Sequence, residues 1–269
     1  LGRTPFLKKQ KPTPYDEAVS LLWFLENVFY DAAGNIMSIL KKDFQESNRI
    51  KHPLIQMGFW PGADRDGNPF VTTEITLKVA ETLRLGILRS YHKNARWLKR
   101  RLTFKGAQEL ITQLEKRLYD NLYNNAKEHI TQAEIKSILE QIIIILQSNN
   151  NLFIEDVYKL LFKSEIFGLY FASLDIRQDS GVHTKFFESL AQQKILPENY
   201  TAFDENKKID ALLQLHKTEV SFGDNALFTD TLKSVEAVKT IQHQNGKKAC
   251  HRYVISHCES ALHVMEVYG

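Results

Sequence analysis

Arg177 sits where an apolar run turns charged, in Leu174-Asp175-Ile176-Arg177-Gln178-Asp179-Ser180, with an acid two residues to either side. A guanidinium is planar and always charged, which suits it to forked contacts with phosphate or carboxylate. Neutralisation by its own acidic neighbours is the competing reading. A second polar cluster lies in Trp60-Pro61-Gly62-Ala63-Asp64-Arg65-Asp66-Gly67-Asn68-Pro69. There Gly62 and Gly67 permit positive φ and close backbone approach, while Asp64 and Asn68 can bond their own backbone and set turns. Such a loop can hold polar groups toward an anion or metal complex, or serve only as a capped strand-to-helix connection. For Arg65, between Asp64 and Asp66, pairing within the loop competes with a ligand-facing role. His257-Cys258-Glu259-Ser260 forms a third cluster, directly after Tyr253-Val254-Ile255-Ser256.

Other chemistries find little support. The nine histidines form no metal-ligand pattern, and neither a Gly-rich phosphate cradle nor a nucleophile elbow is present. The basic run Trp97-Leu98-Lys99-Arg100-Arg101 suggests nucleic acid, but a solvated helix C-terminus favoured by the macrodipole explains it better. With 25% charged residues and a net charge of only +3 over 269 residues, no nucleic-acid or membrane partner is expected. The strongest apolar run, Ile142 to Leu146, is far short of the roughly 20 residues that cross a bilayer. Two cysteines without a disulfide framework, and no signal peptide, lead us to expect a cytoplasmic protein. The chain lacks an initiator Met and stops on an apolar helical pattern at Met265 to Gly269, so it reads as a piece of a longer protein.

Most of the intervening sequence predicts helix. Thr13-Pro14 opens one with an N-cap and a first-turn proline, and Gly34-Asn35 is a candidate interruption. After the polar loop, Ile75, Val79, Leu83, Ile87, Tyr91, Ala95, Leu98 and Leu102 form one apolar stripe, with Lys78, Arg84, Arg89 and Lys93 on other faces. Further helices are expected near 107–127, after a capping box at Thr131 and Glu134, and near 155–163. Residues 196–225 read as the most loop-like part. Short strands are expected near 55–60, 168–177 and 252–256. We therefore expect a mainly α-helical chain, 1–269 as one piece of a helix-rich (β/α)8 (TIM-type) barrel, with about three short parallel strands separated by long helical insertions. All three polar clusters would then meet at the carboxyl ends of the strands, where such barrels do their chemistry.

At these residues the chain resembles the phosphoenolpyruvate carboxylase family. The resemblance rests on Trp60 to Thr72, with Pro61 and Ala63 replacing a Met and a Gly, and on Leu174 to Ser180, with Asp179 for Glu. Lys11 to Ala18 and Tyr253 to Ser256 match unaltered. It implies carboxylation of phosphoenolpyruvate by bicarbonate to oxaloacetate and phosphate, with Mg2+ or Mn2+, in a cytoplasmic homotetramer. It further implies that Arg177 holds the substrate phosphate, that Trp60 shapes the same mouth unless it is a core residue, and that Asp64, Arg65, Asp66, Gly67 and Asn68 line it. The family's catalytic His, metal carboxylates and Gly-rich Arg loop have no counterpart here, so no catalytic or metal-binding residue is assigned and the chain alone is expected to be inert. Because His257-Cys258-Glu259 replaces the family's Met-Ala-Lys, no substrate contact is assigned there. Ala63 would strain the loop if its position required positive φ. A non-catalytic helical scaffold or interaction domain is the alternative.

Overall fold

The computed structural model describes residues 11–43, 54–124, 128–148, 152–215 and 225–268. Among them a small parallel sheet of three strands, in the order β1-β2-β3, is surrounded by helices. The strands are β1 (Gly58–Phe59), β2 (Ser173–Asp179) and β3 (Arg252–Ser256). Four long helices separate the first two: α3 (Thr73–Lys99), α4 (Ala107–Tyr123), α5 (Gln132–Gln147) and α6 (Ile154–Phe167). Between β2 and β3 run α7 (Ser180–Gln192), α8 (Glu205–Leu213) and α9 (Ala226–Asn245), and α10 (Ala261–Tyr268) follows β3. Three parallel neighbours in chain order, joined by helical crossovers, are what the sequence predicts.

Local signals place most helix ends. Thr13 caps α1 (Pro14–Phe24): its hydroxyl accepts from Asp16 N, while the Asp16 carboxylate accepts from Thr13 N. Thr72 caps α3, and the predicted stripe is buried from Val79 through Leu102, with Ile75 half-buried. Thr131 caps α5, but Glu134 does not close the expected box; its carboxylate takes Arg117 instead, at 2.7 and 3.1 Å.

Several expectations need correction. Gly34 does not interrupt its helix: a π-helical stretch at Leu25–Phe29 does, and α2 (Tyr30–Asp43) runs through Gly34. That glycine instead leaves room for a side chain on another helix. A Cβ there would lie 2.5 Å from Lys163 Cε, and Lys163 must cross α2 to reach Asp31 at 2.6 Å. Arg84 faces the interior, only 3% exposed, instead of solvent. The second strand begins at Ser173, not Gly168, because α6 runs on to Phe167 and Gly168 and Phe171 both take positive φ. Leu169, Phe171 and Ala172 are buried, with Tyr170 half-buried, in a turn that packs into the core. Only Gly58 and Phe59 of 55–60 pair as strand. Residues 196–225 contain α8 and a short 3-10 turn at Tyr200–Ala202; 216–224 lie outside the described residues, as does the predicted helix end at 125–127.

His183 on α7 gives the fold a predictable acid limit. It is 4% exposed, Tyr253 Oη lies 3.0 Å from its Nε2, and burial, aided by the charge of Arg65, lowers its pKa to about 4. An unfolded histidine titrates near 6.5, so between these values the unfolded chain binds the extra proton. Stability should fall as pH drops from about 6.5 toward 4, by up to roughly 3 kcal/mol from this residue. Urea titrations from pH 7 to 4.5 would show it, and His183→Gln should flatten that slope.

Candidate functional site

The site is built around the backbone of β2. After Phe59 the first strand leaves the sheet in a tight turn, with Ala63 N and Asp64 N both donating to Trp60 O. It returns at Asp64, which forms a parallel bridge with Arg177. Arg177 N then donates to Ala63 O at 3.0 Å, and Arg65 N donates to Arg177 O at 2.9 Å. On its other side Arg177 is in register with Val254 of β3. The residue is thus held by both neighbours, which fixes where its side chain starts.

Gly62 makes the turn possible. It takes φ +78, and a Cβ there would meet Val79 Cγ2 at 2.5 Å, so the loop lies flush on α3. Thr76 Oγ1 bonds Gly62 O at 2.7 Å from the same helix. Ala63 is fully buried without positive φ, so the strain anticipated there does not arise. Gly67 has φ +65, and Asn68 Oδ1 accepts from Phe70 N in the expected local turn.

Alternation along β2 sends Asp175, Arg177 and Asp179 to one face and buries Ile176 and Gln178 on the other. The acids flanking Arg177 do not neutralise it. Asp175 accepts from Arg252 Nε at 2.8 Å, and Asp179 pairs with His257 Nδ1 at 2.7 Å. Its own carboxylate partner is Asp64, at 3.6 Å, too far for a hydrogen bond. Among the described residues no acceptor bonds the guanidinium, and its Nε is buried without a partner. The side chain is 38% exposed and stands over the Trp60 ring, 5.7 Å from the centroid. Trp60 itself is 49% exposed, so it is not a core residue.

Arg65 has a different task. It is 6% exposed and reaches across to a short ion pair with Asp230 of α9, outside its own loop. Asp230 Oδ1 also accepts from Thr73 N at 3.0 Å, and its carbonyl accepts from Thr73 Oγ1. Those bonds to Thr73 and Arg65 hold the Asp230 carboxyl below its usual range, although partial burial opposes them. Arg65 therefore ties the loop, the start of α3 and α9 together, while Asp66 stays exposed at the rim. The Arg65–Asp230 contact spans 165 residues, and no local pattern announces it.

At the end of β3, His257 takes φ +50 and its imidazole lies against Asp179. Ser256 Oγ reaches the same carboxylate at 3.5 Å, and Ser180 Oγ donates to His257 O at 2.9 Å. Bonds from His257 and Gly181 N hold Asp179 below the usual carboxylate range, and the pairing with Asp179 raises His257. The ends of all three strands thus converge as predicted. Among the described residues no group of three or more His, Cys, Asp or Glu is placed to hold a metal ion. Of the nearby carboxylates, Asp175 pairs with Arg252, Asp179 with the His257 imidazole, and Asp64 lies 3.6 Å from Arg177.

The basic run at the end of α3 folds back on itself: Arg101 stacks 3.6 Å from the Trp97 ring. No helix of the described residues is long and apolar enough to cross a membrane.

The family model for phosphoenolpyruvate carboxylase matches residues 1–147 and 110–268. Relatives named phosphoenolpyruvate carboxylase include one from Prochlorococcus marinus subsp. pastoris, 26% identical, the match covering 98% of this chain and 34% of that protein. Others from Parasynechococcus marenigrum and Trichormus variabilis are each 25% identical, covering 98% of this chain and 33% and 32% of their own lengths. The chain spans about a third of the length of the curated relatives it matches. The first match runs over 335 aligned residues against a chain of 269, so the relative carries internal segments that this chain lacks.

Proposed function

The chain belongs to the phosphoenolpyruvate carboxylase family, and from that premise we propose that it supplies the phosphate-gripping wall of a carboxylase active site. In a protein that joins it to the other two thirds of the family's length, bicarbonate would attack the phosphorus of phosphoenolpyruvate. Carboxyphosphate and enolate would form, and carboxylation of the enolate would give oxaloacetate. Arg177 would hold the phosphoryl oxygens in this reading, where a preorganised cation aimed at shifting charge lowers the barrier. Trp60 would close one side of the mouth, and the loop Asp64 to Asn68 would position it.

The single observation that carries the reading is the uncommitted guanidinium of Arg177, whose flanking acids are paired with Arg252 and His257. Three adjacent parallel strands with the site at their carboxyl ends support a (β/α)8 barrel, of which residues 1–269 would be one piece. The divalent ion that the family implies, Mg2+ or Mn2+, does not fit the described residues, so its ligands would come from the rest of the protein and we derive no step through it. A cytoplasmic homotetramer is the assembly expected from the family.

Oxaloacetate formation from phosphoenolpyruvate, bicarbonate and Mg2+ tests the proposal, with the 269-residue chain alone and with the complete protein. We expect no turnover from the chain alone, turnover from the complete protein, and a loss of about a hundredfold or more in kcat/KM on Arg177→Ala. Unchanged turnover in that variant would favour the non-catalytic scaffold.

A further inference from the structure

We propose that His257, oriented by Asp179, is a second anion ligand at the mouth, presenting Nε2 to the phosphoryl group that Arg177 grips. The inference rests on the reading of Arg177 given above and adds to it a residue outside the four segments that carry the family resemblance.

The geometry begins with the strand. Arg177 and Asp179 lie on the same face of β2, two residues or about 7 Å apart. Asp179 is fixed by Gly181 N at 2.8 Å and by its place as the cap of α7. Its other oxygen takes His257 Nδ1 at 2.7 Å. An ionised carboxylate can only accept, so Nδ1 carries a proton and Nε2 is the nitrogen that titrates. Among the described residues nothing bonds Nε2, and the side chain is 75% exposed. His257 holds φ +50, a backbone region that residues other than glycine seldom enter. Ser180 Oγ secures that conformation through His257 O. Ser256 bonds the carboxylate and not the imidazole, so this is a His–Asp pair without a nucleophile.

Charge gives the pair its purpose. Asp64 lies 3.6 Å from Arg177, and Asp66, Asp179 and Glu259 act on His257, so the strand ends carry more acids than Arg177 alone balances. The groups acting on His257 are Asp179 at the end of β2, Asp66 from the loop after β1, and Glu259 after β3. All three favour its protonated form, raising its pKa above the ordinary imidazole value. The loop that gives Arg177 its partner Asp64 also carries Asp66, so the two cations look onto one rim. Protonated, His257 cancels Asp179 and offers an N–H; deprotonated, it leaves the mouth net negative and unfavourable to an anion.

The test is binding of phosphoenolpyruvate and of inorganic phosphate to the 269-residue chain, measured calorimetrically between pH 5.5 and 8.5. His257→Asn removes the imidazole while keeping a residue that tolerates positive φ. Wild type should bind roughly tenfold more tightly than His257→Asn at the acid end and converge with it at the alkaline end. The ligand's own ionisation is common to both proteins and cancels in the comparison. Asp179→Asn should move the convergence point to lower pH, because the carboxylate that raises His257 is gone. Identical pH profiles for wild type and His257→Asn would overturn the proposal while leaving Arg177 in place, provided Arg177→Ala still weakens binding by about a hundredfold. Wild-type binding that neither variant alters, or no binding by the wild-type chain at any pH, would overturn both readings.

Discussion

Arg177→Ala is expected to weaken phosphoenolpyruvate binding to the chain by about a hundredfold, with little change in stability. The asymmetry follows from the surroundings of the side chain. Its ion pair with Asp64 is long, at 3.6 Å, and both side chains are more than a third exposed, so losing it costs the fold at most about 1 kcal/mol. Binding loses more, because a forked donor has no substitute at the mouth once Asp175 holds Arg252 and Asp179 holds His257. Arg177→Lys separates charge from geometry. It keeps the cation but not the fork, so recovery should be partial. Calorimetric titration alongside urea denaturation checks both halves. A variant that binds normally, or one that fails to fold, would be inconsistent with this account.

Asp230→Ala carries the second large effect, and here the loss is in the fold. Arg65 is 6% exposed and its Nε is already buried without a partner. Removing Asp230 would leave a buried guanidinium uncompensated and would also free Thr73 N at the start of α3. Breaking such a pair from one side costs about 3 kcal/mol. The loss should be local before it is global. Amide hydrogen exchange between residues 60 and 76 should rise more than in the cluster around α4 and α5. Arg65→Met, with a similar apolar stem and no charge to strand, should cost less than Asp230→Ala. If the two variants were equally stable, the pair would not have the role assigned to it.

How much of this was legible beforehand depended on whether the signal was local. Thr13 and Thr131 announced their helices because capping acts within four residues, and the α3 stripe announced its buried face through its period. The three polar clusters could be placed at strand ends because apolar runs stop where loops begin. Misreadings came from contacts made across the chain. Glu134 looked like half of a capping box but pairs with Arg117, a competition that spacing cannot reveal. Leu169 to Ala172 looked like strand because a core turn and a buried strand are equally apolar. Gly34 looked like a helix break, yet its bare Cα makes room for Lys163. Arg84 sits at a helix position whose neighbours suggested solvent, but α9 packs against α3 there, with Asn245 bonding Ala80 O. In the site, Arg177 and Trp60 could be read from type and place. Arg65 was harder, since its partner is 165 residues distant. His257 gave no sign of its pairing with Asp179, because 78 residues separate them and positive φ at a histidine is not encoded in its neighbours.

The central claim is that the Arg177 guanidinium faces an open mouth and is free to take a phosphoryl group. A crystal structure of the chain soaked with phosphoenolpyruvate tests it most directly. The account predicts two guanidinium nitrogens within hydrogen-bond distance of phosphoryl oxygens, with Trp60 alongside and Asp64 no closer than it is now. Finding Arg177 closed onto Asp64, and the ligand bound elsewhere, would contradict it.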